Sequence, residues 1–195
     1  MLSGLDLELF LAGYFLVAVF IVAERRLRKT ESAKTFQRGS SDRGSTLLIG
    51  SAFGAGLLLP LLTNILGVGP FFSIDLVEGL LALAIMIVGI ELRVWAARTL
   101  GSYYTRTLLT TKEQEVVATG PYARIRHPGY LGNILLWSGF GVLSDNLIVA
   151  ILFPLMFVSA YLYRISVEER MLADALGDNY AEYRRRTHRL VPLIY

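Results

Sequence analysis

Two short constellations in the second half of the chain carry residue types that can do chemistry. In Arg124-Ile125-Arg126-His127-Pro128-Gly129-Tyr130 a lone histidine is wedged between an arginine and a proline. The plain structural reading makes Pro128 the start of a helix, Tyr122 and Tyr130 belt aromatics, and Arg124 and Arg126 side chains that snorkel to headgroups. That reading leaves His127 unexplained, which points toward function. The second constellation is Arg164 with Glu168 and Glu169. Arg164 and Glu168 are four apart and share a helix face. They read either as an interfacial salt bridge, in the less favourable order for such a pair, or as ionisable groups kept at membrane depth for function. An arginine there can hold a carboxylate through its planar fork. A glutamate beside it can face a cation, or take the proton of an amine.

These groups must be positioned by apolar elements. Of the 195 residues, 54% are hydrophobic and only 18% charged, with a mean hydropathy of +0.52, so lipid is the solvent for much of the chain. Spanning helices need roughly 20 mostly apolar residues. Five runs meet or approach that length: Leu9–Ala23 extended back to Leu5, Thr46–Leu66, Leu76–Val94, Tyr130–Leu143 beginning at Pro128, and Leu147–Tyr163. The last two are separated only by Ser144-Asp145-Asn146 and form a helical hairpin. Gly50, Gly54 and Gly56 in the second run are available for close helix contact, and Glu91 near the end of the third is available to pair with an arginine.

Charge sets the orientation. Seven of the 19 basic residues lie in 24–45, six in 93–126 and six in 164–189. With five spans all of these fall on one face, and the positive-inside rule makes that face cytoplasmic, with the N-terminus outside and the C-terminus inside. Asp6 and Glu8 precede the first run and Arg25 and Arg26 follow it, the pattern of an uncleaved anchor rather than a signal peptide. Residues 29–45 read as a polar, mobile cytoplasmic loop, and 103–117 as extended or hairpin-like. The expected fold is therefore an all-α integral membrane protein. Residues 1–97 hold helices 1–3 with the basic loop 24–45, and 98–195 form the functional region.

Composition also excludes. There is no cysteine, hence no disulfide or thiolate chemistry, and only two histidines, His127 and His188, which argues against a metal centre. No glycine-rich phosphate loop follows a strand. The basic run Arg184-Arg185-Arg186 suits a solvated face or anionic headgroups better than nucleic acid.

The motif set resembles the isoprenylcysteine carboxyl methyltransferase family, among the integral-membrane methyltransferases that include phospholipid methyltransferases. The matching pieces are Val116-Val117-Ala118-Thr119-Gly120-Pro121-Tyr122, Arg126-His127-Pro128-Gly129-Tyr130, Arg164 with Glu168-Glu169, Gly177-Asp178-Asn179-Tyr180 and Arg189-Leu190-Val191-Pro192. The resemblance implies a cytoplasmic pocket for S-adenosylmethionine, with S-adenosylhomocysteine as product, formed by the loop before helix 4 and the C-terminal tail. It implies Gln114, Val116, Val117, Tyr122, His127, Pro128, Gly129, Tyr130 and Glu168 as cofactor contacts and Arg164 as the substrate-side arginine. Arg164 and Glu168 then carry the transfer to a lipophilic or lipidated acceptor, with no metal and no nucleic acid involved. Three alternatives stay open on the residues alone: an amine or phospholipid N-methyltransferase, an NADPH-dependent membrane reductase of the sterol-reductase type, and a non-enzymatic membrane protein. The oligomeric state is not encoded in any of these features.

Overall fold

The computed structural model describes residues 4–27, 42–101 and 116–192, and within them every regular element is helical. In chain order these are α1 (Gly4–Leu27), α2 (Ser45–Leu66), α3 (Leu76–Leu100), a 3-10 turn (Gly120–Ala123), α4 (Pro128–Val142) and α5 (Leu147–Arg186). Local chemistry places their ends. Asp75 and Glu78 form a reciprocal capping box at the start of α3. Gly67, in the left-handed region, closes α2. Pro128 occupies the first turn of α4. Asn146 caps α5 by accepting from the amides of Ile148 and Val149.

The helix lengths refine two expectations. Helices α1, α2, α3 and α5 are long and apolar enough to cross a membrane, but α4 has 15 residues. At about 1.5 Å per residue it reaches roughly 22 Å, short of the ~30 Å hydrocarbon core. Its limits follow from Pro128 at one end and the tight Ser144–Asn146 turn at the other. The fifth run also continues as helix well past Tyr163, to Arg186, bending at Gly177 where φ is 54°.

The short helix is the centre of the bundle. Ten of its fifteen residues are buried, and it packs most extensively on α3 and then on α5. Without water to drive helices together, association in lipid rests on close packing of small residues. Here α3 and α4 meet backbone to backbone: a Cβ on Gly132 would lie 2.5 Å from the carbonyl oxygen of Gly89. Trp137, Phe140, Phe153 and Phe157 fill the core beside this contact, with Trp137 and Phe157 stacked at 5.0 Å. Of the three glycines expected to give α2 its contacts, only Gly56 does so, against Trp137, while Gly50 and Gly54 face open space. Gly56 lies about 200° round the helix from Gly54, and only its side faces the core.

The two ends of the bundle differ. At one, the α4–α5 turn docks on the α2–α3 link: Phe72 N donates to Asp145 O, Leu147 N to Pro70 O, and the Asn146 side-chain amide to Val68 O. At the other end lie the C-terminal ends of α1 and α3, the start of α2, the start of α4 and the second half of α5. Arg93 of α3 pairs there with Glu24 of α1 at 2.8 Å. The stretch expected to be loop as far as Ser45 departs from that reading at its end, since Asp42 and Ser45 are almost fully buried. Gln114 and the segment 103–115 lie outside the described residues.

Candidate active site

At the second end the chain folds back on itself. After α5, the tail runs beside the approach to α4: Arg126 N donates to His188 O at 2.8 Å, His127 N to Arg189 O at 3.1 Å, and His188 N to Arg124 O at 2.9 Å. The Tyr183 hydroxyl donates to the Tyr122 carbonyl at 2.8 Å, tying the α5 extension to the 3-10 turn. The two stretches are thus built as one unit.

Glu169 locks that unit. It is 4% exposed and accepts from Arg126 Nε at 2.7 Å and from Arg189 Nε at 3.0 Å, one arginine from each stretch. His127 Nε2 lies 3.4 Å from the same carboxylate. Burial pushes the Glu169 carboxyl up, but the close approach of His127 and the hydrogen bond and charge of Arg126 outweigh it and hold the group at about 2. Arg126 is therefore no snorkelling side chain. Its Nη1 also donates to the carbonyls of Arg184 and Thr187.

One residue earlier on α5, Glu168 faces a different set. Its Oε2 accepts from the Tyr130 hydroxyl at 2.5 Å and lies 3.9 Å from His127 Nδ1. Arg164 Nε donates to the same Tyr130 hydroxyl at 3.3 Å. The His127 ring stacks on Tyr130 (5.5 Å, 2°), and Tyr130 stacks on Tyr161 (4.8 Å, 26°). Four residues expected at the site, His127, Tyr130, Arg164 and Glu168, thus converge on one phenol oxygen and its ring. The Glu168 side chain keeps 23% of its surface exposed, against 4% for His127 and 7% for Arg164, so its carboxylate is the reachable charge of the set.

The remaining expected residues frame this group. Pro128 and Gly129 are buried in the first turn of α4, and a Cβ on Gly129 would lie 2.8 Å from Arg93 Nη1. Tyr122 is buried in the 3-10 turn. Val116 and Val117 are half-buried in the irregular stretch leading to it.

Several residues here were not legible. Arg164 Nη1 donates to Asp42 Oδ1 (3.1 Å), Ser45 Oγ (2.9 Å) and Thr46 Oγ1 (2.8 Å) at the start of α2. The acid that pairs within the α1–α3 contact is Glu24, whereas Glu91 is exposed. Asn133 donates to the Tyr161 hydroxyl inside the bundle. A polar Ser45-Thr46 opening an apolar run, with an acid three residues before Ser45, was the one local sign of the α2 contribution.

The chain is similar to known proteins along most of its length. The isoprenylcysteine carboxyl methyltransferase family matches residues 81–174. The protein-S-isoprenylcysteine O-methyltransferase A of Arabidopsis thaliana is 30% identical over 173 residues, covering 83% of this chain and 84% of the relative. A protein-S-isoprenylcysteine O-methyltransferase of Schizosaccharomyces pombe is 30% identical over 115 residues, 58% of this chain and 49% of that one. The cobalt-zinc-cadmium resistance protein of Cupriavidus metallidurans is 34% identical over 114 residues, with coverages of 58% and 47%. Against these last two, the chain spans about half of the relative's length. The solved structure of the eukaryotic intramembrane Ras methyltransferase ICMT superposes with a TM-score of 0.70 at 20% identity, covering all of this chain and 70% of that one. That likeness is one of fold.

Proposed function

This chain belongs to the isoprenylcysteine carboxyl methyltransferase family, and from that premise we propose that it is a membrane methyltransferase acting on a lipophilic carboxylate. The observation that carries the proposal is the convergence of Arg164 and Glu168 on the Tyr130 hydroxyl beside His127. The methyl donor is S-adenosylmethionine, and the donor set suits it: a reachable carboxylate for a cationic group, and the glycine-proline backbone of the 3-10 turn and the α4 start. Val116, Val117, Tyr122, His127, Pro128, Gly129, Tyr130 and Glu168 would hold it. When bound, the cofactor supplies an electrophilic methyl group on a sulfonium.

The residues of the chain do the rest. A carboxylate is ionised at neutral pH, so no general base is required and positioning supplies most of the rate. Arg164 orients the acceptor through its guanidinium, and Glu168 faces the cofactor's positive charge. Arg93, Arg126, Arg164 and Arg189 pair with Glu24, Glu169 and Asp42, and Glu168 accepts from the Tyr130 hydroxyl. A cofactor of net positive charge beside the Arg164 guanidinium favours an anionic acceptor, a carboxylate over an amine. The helices cross with the N-terminus outside and the site in the cytoplasm. Helix α4 completes the fifth crossing inside protein, where non-helical backbone at its ends is tolerated. Its acceptor enters sideways from the bilayer.

The chemistry of the label tests this. Membranes holding the protein, given methyl-tritiated S-adenosylmethionine with N-acetyl-S-farnesylcysteine and phosphatidylethanolamine, are expected to yield an ester that releases volatile methanol in alkali. Alkali-stable label on the amine lipid would replace the carboxylate reading with N-methylation.

A further inference from the structure

We infer that Asp42 is a positioning residue for the proposed transfer, holding Arg164 by one edge and setting how its guanidinium faces the acceptor. The inference rests on the carboxyl-methyltransferase reading and adds a residue outside the 81–174 family match.

The geometry is that of a cradle built from α2 for a side chain of α5. Asp42 is 1% exposed and Ser45 0%. Asp42 Oδ1 accepts from Ser45 Oγ at 2.9 Å and Thr46 Oγ1 at 2.7 Å, and all three oxygens lie within 3.1 Å of Arg164 Nη1. A guanidinium is a planar fork with donors in fixed directions. Fixing Nη1 on this side fixes the plane, and with it the Nε that meets Tyr130. A second tie closes the cradle: the Tyr163 hydroxyl donates to the Arg43 carbonyl at 2.8 Å. Burial pushes the Asp42 carboxyl up, but hydrogen bonds from Thr46 and Ser45 and the Arg164 charge outweigh it and keep it low, so the cradle is anionic. It offsets part of the Arg164 charge, which would otherwise hold any anion indiscriminately.

Asp42 also accepts from Thr46 N in the first turn of α2 at 3.2 Å, so alanine would confuse two roles. An asparagine oxygen can still accept from that amide, and D42N removes the charge. With a misplaced guanidinium, kcat for N-acetyl-S-farnesylcysteine is expected to fall at least about tenfold, with KM for that acceptor unchanged or lower and S-adenosylhomocysteine affinity unchanged. Thr46→Val, which keeps the charge and deletes one partner of Nη1, should lower kcat in the same direction but less. An unchanged kcat in D42N overturns the inference, as does a joint loss of kcat and S-adenosylhomocysteine affinity, which marks a merely structural role. A second arm needs no acceptor: phenylglyoxal modification mapped by mass spectrometry. Arg164 is expected to react faster in D42N, with Arg93 and Arg126 unchanged as internal controls. If the wild-type protein methylates no carboxylate, the proposed function falls while this arm still decides the positioning role. Equal Arg164 reactivity in both proteins would end it.

Discussion

Arg164→Lys is expected to lower kcat for methyl transfer by about 10²–10³, the usual cost of removing one preorganised donor from a transition state, with S-adenosylhomocysteine binding retained. Lysine keeps the charge, so the substitution isolates the fork. In the native site Nη1 serves three oxygens at the start of α2 while Nε reaches the Tyr130 hydroxyl on the other side. An ammonium is a point charge on a flexible stem and cannot hold both directions at once. The comparison is made on initial rates in nanodiscs, with inhibitor binding as the check that the bundle has assembled. A near-native rate in the lysine variant would mean that charge alone suffices there.

The second large effect concerns Glu169. Removing it in Glu169→Ala leaves Arg126 and Arg189 without their shared carboxylate in a site where the carboxylate itself is 4% exposed. Breaking such a buried pair from one side costs about 3–5 kcal/mol. The loss falls on the docking of the tail against the start of α4, so trypsin is expected to cut at Arg184–Arg189 far faster than in the native protein, and cofactor-analogue binding to fail with it. Acid should produce a graded version. A carboxyl held at about 2 in the folded chain, against roughly 4.3 when free, stabilises the fold above the free value. That contribution fades as the pH falls through this interval toward 2. The difference in thermal stability between native protein and Glu169→Gln should therefore be constant above about pH 5 and shrink below it. A difference independent of pH would show that Glu169 is not held ionised by its arginines.

Much of the bundle was legible because apolar runs and their punctuation are local. Pro128 starts α4, Ser144-Asp145-Asn146 turns the hairpin, and the apolar run beginning at Leu76 opens α3. The alignment of the tail with the approach to α4 was legible only through the family motifs, since nothing in the pattern of Arg126 and Arg189 specifies that they share one acid. Glu168 and Glu169 show the limit most clearly. Adjacent helical positions are about 100° apart, so the rotation of α5 alone decides which acid faces Tyr130 and which faces the arginines. The reading of Arg164 and Glu168 as a simple salt bridge proved too local: each meets Tyr130, and Arg164 reaches across more than a hundred residues to Asp42. Such a contact leaves no mark in either segment. The burial of α4 was not legible for a related reason, because apolarity cannot distinguish a helix wrapped by its neighbours from one that faces lipid.

Calorimetric titration of the purified protein in nanodiscs with S-adenosylhomocysteine and, separately, NADPH tests the site most directly. Saturable binding of the nucleoside and none of NADPH is expected, weakened at least about tenfold in both His127→Ala and Glu168→Ala, which remove contacts worth roughly 1.5–3 kcal/mol when charged. Saturable NADPH binding, or nucleoside affinity untouched by either substitution, would contradict a sulfonium-nucleoside pocket at this end of the bundle.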